Sequence, residues 1–415
     1  MPKKAPLAAI VIVALLAAPA VAEERDARVA WLAAHAMRLR TIDPRDDDFA
    51  DLEPLCATLA GVRVVMLGEQ NHGDGTTFLA KTRLIRFLHE RMGFDVLAFE
   101  SGLYDCAKAW EHLQAGEPAR AAVPRGVFAI WTRSREVEPL IDYLGAQMKS
   151  AHPLELAGVD CQLTASASKD FLVADLHAQG FADERVERVI PHLIDGTWES
   201  GTEPLPSAAE RAAFMRTIEQ WRAAARSPFW RQVIESIGVF AESEWLSTAD
   251  SAESSAVRDR QMGKNLVWLA RERYPNRKII VWAATFHNAR NVRTIETSDA
   301  KLRRFYATDT PMGEVAKNAL GKELYSLGVT SYDGEFANAF AKSAKPLPPA
   351  TPGSLEDLFV RAGLTDAIVD FHRAPRWLRA PMFSQIISHI ELRADWPRIV
   401  DGVLFIRHMD RSHKE

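Results

Sequence analysis

The chain has little sulfur chemistry to offer. Its three cysteines, Cys56, Cys106 and Cys161, are odd in number and widely spaced, so they form neither a disulfide scaffold nor a zinc motif. One disulfide and buried free thiols stay open as alternatives. Basic runs are absent too, and the formal net charge is -4. A mildly acidic chain without lysine or arginine clusters gives no support for nucleic-acid binding. There is no G-x-S-x-G elbow, no G-x-G-x-x-G and no P-loop. "AFESGL" holds Ser101 without the elbow's first glycine, and "LHERMG" puts Gly93 where a zinc helix needs its second histidine.

A long apolar run occurs once, from Ala5 to Ala22, behind Lys3 and Lys4. Small residues at Ala20 and Ala22 predict a signal peptide over 1–22, cleaved before Glu23. Residues 23–415 are then a periplasmic or secreted domain with no stable membrane insertion; an uncleaved anchor is the alternative. No cysteine follows the run to take a lipid.

What the chain does have is alternation. "RVVML" (63–67), "DVLAF" (95–99), "LELAGV" (154–159) and "KIIVWAA" (278–284) read as strands, as do "ELYSLGVTSY" (323–332), "AIVDF" (367–371) and "GVLFIRH" (402–408). Their apolar residues are mostly continuous, which suits strands covered on both faces. Phe78, Leu79, Leu84, Ile85 and Leu88 recur at helical spacing between the first two. The fold class is α/β: a central mixed, mostly parallel sheet flanked by helices.

Residues 165–270 carry only helical signals. Ser207 and Glu210 form a capping box, and Ser227-Pro228 opens another helix. The stripes Phe214, Ile218, Trp221 and Phe229, Val233, Ile237, Phe240 belong to a core. This block is a helical insertion over one end of the sheet, forming a lid or wall; Trp221, Trp230 and Trp245 serve packing before any substrate cleft. "SAKPLPPATPGS" (343–354) is a proline-rich surface loop before a helix capped by Ser354 and Asp357.

The stretch "VVMLGEQNHGDGTTF" (64–78) raises the functional question. A core strand ends in Glu69, with His72 in the following turn. Gly68, Gly73 and Gly75 let that turn bend and approach a ligand, and Asp74 or Thr76 is placed to cap the next helix. The second strand ends in Glu100, the third in Asp160, and the fourth in His287 and Asn288. If these strands are parallel neighbours, all converge at the carboxyl edge, where open α/β sheets bind ligands. A lone carboxylate there is often a cap or salt-bridge partner, the favoured reading for Asp160. With no activated serine or cysteine in view, the simplest chemistry is direct attack by water, with histidine as general base and carboxylates setting its tautomer.

The elements "LGEQNHGDGTTF…K", "GFDVLAFE", "IW", "GVD", "RDRQMGKNLVWL" and "VWAATFHNARN" resemble the erythromycin esterase family over roughly residues 60 to 410. The resemblance implies a metal-independent hydrolase without cofactor, acting on a small-molecule ester or lactone. By motif position it makes His72 the general base, Glu69 the carboxylate beside it, Glu100 a second essential glutamate, and His287 the first histidine of the late motif. Lys81 takes the place of a basic residue in the first helix. Arg290 stands where the family often has a second histidine; it stays protonated and suits an anionic substrate or an oxyanion. His287, Arg290 and Lys81 are thus the candidates for oxyanion support. Two alternatives differ in class. In a metal-dependent hydrolase, Glu69 and His72 would be ligands. A non-enzymatic exported protein would bind haem or another ligand in an apolar groove.

Overall fold

The computed structural model describes residues 25–337 and 343–414. The predicted signal peptide lies outside these residues. The strands are β1 (Met37–Arg38), β2 (Val64–Leu67), β3 (Val96–Gly102), β4 (Glu155–Asp160), β5 (Ile279–Trp282), β6 (Leu324–Phe336), β7 (Lys345–Pro346), β8 (Asp366–Asp370), β9 (Met382–Ser384), β10 (Leu392–Ala394) and β11 (Gly402–Met409). The main sheet runs β1-β8-β11-β6-β2-β5-β3-β4, with β7 added to the end of β6. From β11 to β4 every pairing is parallel, while β8 runs against β11. All seven strands predicted from apolar runs are present. The four missed, β1, β7, β9 and β10, are too short to show a period.

The continuous apolar runs arise because alternate side chains enter different cores. Val65, Leu67, Leu97, Phe99, Ile280 and Trp282 face one side, against Phe78, Leu84, Ile85 and Leu88 of helix α1 (Gly75–Met92). Val64, Met66, Val96, Ala98, Ile279 and Val281 face the other, against the helical insertion. Burying each such side chain contributes about 1.5–3 kcal/mol. Truncating Ile280 to alanine, inside this layer, would cost about 2–5 kcal/mol.

Helix α2 (Leu103–Gln114) follows β3, and the insertion then supplies α3 (Ser166–Ala178), α4 (Glu184–Asp195), α5 (Ala208–Ala224), α6 (Pro228–Ser247) and α7 (Ser251–Trp268). Its caps form as predicted: Ser207 and Glu210 exchange both capping-box bonds, and Ser227 accepts from the Trp230 amide at 3.5 Å. The insertion covers a face of the sheet, and its last helix, α7, also reaches the carboxyl edge, where Arg258 meets Asp160 and Asp259 meets His287. Its stripes are wide enough to bury Trp221 and Trp245 with strand residues, so these tryptophans are core.

The turn after β2 departs from expectation in two ways. Neither Asp74 nor Thr76 caps α1: Asp74 accepts from the Asn71 amide at 2.8 Å and from His389 Nε2 at 3.0 Å, and Thr76 Oγ1 accepts from the Asp410 amide. The glycines serve the chain's own close contacts. A Cβ on Gly73 would lie 1.8 Å from the Ala337 carbonyl oxygen, and one on Gly68 2.4 Å from Thr285 Oγ1. The three thiols are unpaired, Cys106 and Cys161 being buried.

Candidate active site

The strands β2, β5, β3 and β4 are consecutive in the sheet and parallel, so their carboxyl ends form one edge. Glu69 lies two residues beyond β2, Glu100 within β3 two residues before its end, and Asp160 at the end of β4. After β5 the chain makes one short helix, α8 (Thr285–Asn288), which carries His287. A hydrogen bond from the Thr285 amide to the Glu69 carbonyl, 2.8 Å, ties α8 to the His72 turn.

Glu69 is fully buried and each oxygen is occupied. Oε1 accepts from His72 Nδ1 at 2.8 Å and from Trp131 Nε1 at 2.9 Å. Oε2 accepts from Lys81 Nζ at 2.7 Å. Lys81 is itself buried, 4.0 Å from the Trp282 ring centroid. Burial lowers its pKa to about 8, against the pull of Glu69, so it is still an ammonium at neutral pH. Burial opposes the charge on Glu69, but Lys81 and His72 outweigh it and hold the carboxyl below its usual range.

A second assembly surrounds Glu100. Its Oε1 meets His287 Nε2 and Arg258 Nη2, both at 3.1 Å, and its Oε2 accepts from the Ala284 amide at 2.9 Å. Arg258 also grips Asp160, with contacts of 2.5–3.1 Å from Nε and Nη2. His287 Nδ1 lies 2.7 Å from Asp259 Oδ1, which also accepts from the Met312 amide. The two assemblies meet at His72, whose Nε2 is 3.9 Å from Glu100 Oε1. That is beyond hydrogen-bond reach, so Glu100 does not occupy Nε2.

Exposure separates the roles. The His72 side chain is 30% exposed and that of Arg258 20%, while those of Glu69, Glu100, Asp259 and Lys81 are at most 3%. Solvent therefore meets the cluster at the imidazole and the guanidinium. Burial opposes charging of His72, but Glu100 and Glu69 outweigh it and raise its pKa. For His287 the opposition of burial is overcome by Asp259 and Glu100, and its pKa lies well above that of free histidine.

Four residues named from sequence need placing. Asp160 sits at the edge, held by Arg258, the salt-bridge reading. Lys81 lies behind Glu69 rather than at the open side. Asn288 is buried, with its backbone carbonyl accepting from Ser326 Oγ at 2.8 Å. Arg290 is not brought into the cluster: α8 ends at Asn288, the chain extends through Ala289, and Arg290 pairs with Asp401 at 2.9 Å. Sequence reasoning gave no role to Arg258, Asp259 or Trp131, although "RDRQMG" and "IW" contain them. Ser101 is buried and accepts from the Phe128 amide, a structural use.

A divalent ion suits this donor set poorly. Ammonium, indole and imidazole donors fill the oxygens of Glu69, and a guanidinium and an imidazolium share Oε1 of Glu100. An ion would have to displace a buried cation from either carboxylate.

The family description for erythromycin esterase matches residues 89–409. The chain belongs to the erythromycin esterase family. The match begins beyond His72, so the Glu69–His72 turn is located by the geometry above. A Bacillus subtilis protein named as a hydrolase, YbfO, is 27% identical over 92% of this chain and 91% of its own. Erythromycin esterase type II of Escherichia coli is 23% identical, over 87% and 93%. The erythromycin esterase EreC, solved as a histidine-to-asparagine mutant in its open conformation, superposes with a TM-score of 0.67 at 18% identity, covering 90% of this chain and 97% of that one. Family and relatives support a hydrolase on an erythromycin esterase-like fold.

Proposed function

We propose that this family member is an exported hydrolase that opens an ester or lactone with water activated by His72. One observation carries the reading. His72 Nδ1 is held by Glu69 at 2.8 Å, while Nε2 has no hydrogen-bond partner among the described residues and the side chain is 30% exposed. Glu69 fixes the tautomer with its proton on Nδ1, so Nε2 presents a lone pair to water. Nε2 takes a proton as the water oxygen attacks the carbonyl carbon. It returns that proton to the alkoxide when the tetrahedral intermediate collapses.

Arg258 is the cation for the oxyanion, in place of His287, Arg290 or Lys81, because of the cations bound to Glu100 its side chain is the more exposed, 20% against 9% for His287. Base catalysis of this kind contributes about 10²–10⁴-fold and one oxyanion donor about 10²–10³-fold. The name of the Escherichia coli relative makes a macrolide lactone the first substrate to try.

The test is hydrolysis of a panel of esters and lactones, macrolides included, by the wild type and His72→Ala, each with and without chelator. A loss of at least a hundredfold in the variant, with wild-type rates indifferent to chelator, is expected. Equal rates for the two proteins on every cleaved substrate would remove His72 from the chemistry. Export is checked separately, by finding whether the periplasmic or secreted protein begins at Glu23.

A further inference from the structure

Glu69 Oε1 receives two donors from distant parts of the chain, His72 and Trp131. The segment after β11 is bonded to both of the pieces that carry them. On one side, the Thr76 amide donates to the Asp410 carbonyl at 3.2 Å, and the Ser412 amide donates to the Gly73 carbonyl at 2.7 Å. A Cβ on Gly75 would lie 2.7 Å from the Arg411 carbonyl oxygen, so the two backbones are pressed together. On the other side, the Arg135 amide donates to the His413 carbonyl at 2.9 Å, His413 meets Glu136 at 2.8 Å through Nδ1, and Lys414 Nζ donates to the Ile130 carbonyl. Trp131 is fixed to this second piece by the Ser134 amide on its carbonyl, 2.8 Å.

We propose that Asp410–Lys414 is a strap that holds the His72 turn and the Trp131 segment in register, so that both donors reach Glu69 at once. This rests on the reading of His72 as the base. The strap acts through other residues and touches no reacting atom; its members are positioning residues. Ser412 supplies an internal control. Among the described residues its buried Oγ makes no hydrogen bond, and only its backbone N–H is used.

The experiment compares Ser412→Pro, which deletes that N–H, with Ser412→Ala, which keeps it, and with His413→Ala. Readouts are kcat and KM on the best panel substrate and the His72 pKa followed by NMR of labelled imidazoles. Expected for Ser412→Pro are a kcat at least tenfold lower, KM within about twofold, and a His72 pKa shifted down as Glu69 loses its hold. His413→Ala should move the same quantities less, and Ser412→Ala none of them. If Ser412→Pro folds and leaves kcat and the His72 pKa unchanged, the strap has no positioning role. Should it not fold, a His413→Ala protein with unaltered kcat and His72 titration would overturn the proposal equally. The NMR titration needs no turnover, so it reports on the strap even if His72→Ala shows the catalytic reading to be wrong.

Discussion

His287 Nε2 stands 3.1 Å from Glu100 Oε1, and the opposite ring nitrogen stands 2.7 Å from Asp259 Oδ1. A neutral imidazole has one N–H, so only the imidazolium donates to both carboxylates. His287 is therefore a fixed cation and not a base. Its folded pKa is raised well above the unfolded value near 6.5. The stabilisation is complete below the unfolded pKa and disappears as pH rises through the folded one.

Asp259→Asn should thus lower the His287 pKa, because it removes one of the two adjacent opposite charges. Its stability penalty should be greatest at acid to neutral pH and shrink as pH climbs. NMR titration and denaturant unfolding at several pH values check this; a wild-type His287 that is neutral at pH 7 would refute it.

The pH profile of hydrolysis follows from His72. Its pKa is raised, since Glu100 and Glu69 outweigh burial. Activity needs the unprotonated ring, so kcat/KM should fall as pH drops, with the inflection above 6.5. Glu69→Gln removes one of the charges that raise it, so the inflection should move to lower pH while kcat falls. An acid limb in the wild type at or below 6.5 would contradict this electrostatic account.

Arg290 belongs to a different network. It donates to Asp401 at 2.9 Å and to the Pro397 carbonyl at 3.1 Å, with Lys317 also on Asp401 at 3.2 Å. Arg290→Ala should leave kcat/KM within about twofold. It should lower stability by about 1–3 kcal/mol, because Asp401 is buried and keeps only part of its pairing. Rate assays beside urea unfolding decide it; a hundredfold loss of kcat/KM in a stable variant would return Arg290 to the site.

That misplacement shows where sequence reading works. Glu69, His72, Glu100 and His287 were legible because parallel strands deliver their ends to one edge, so an ionisable residue after each apolar run locates itself. A spacing of three places residues on one helix face, but α8 is too short to reach 290. Arg258 and Asp259 lie inside α7, where no strand end flags them; the only trace is an adjacent arginine and aspartate on a helix whose neighbours are core residues. Trp131 projects from a four-residue helix, Ala129–Thr132, that leaves no periodic signal. The insertion's helices were readable from caps and stripes, while the face they cover depended on long-range packing that no local pattern encodes.

The same logic gives a double-mutant test of the Glu69–Lys81 pair. Lys81 is fully buried, so Lys81→Met leaves a buried carboxylate without its counter-charge, at a cost of about 3–5 kcal/mol. Part of that cost would be avoided if Glu69 took up a proton, which would weaken its hold on His72 and lower kcat. Adding Glu69→Gln removes the stranded charge and keeps an acceptor oxygen for Trp131 and His72. The double variant should therefore be more stable than Lys81→Met alone, with a coupling energy within the range of about 0.5–3 kcal/mol seen for residues in contact. It should remain poorly active, since a neutral amide cannot support the imidazolium. Additive losses in thermal and denaturant unfolding would mean that the pair acts as two separate residues, and that the positive charge behind Glu69 is packing rather than part of the machinery.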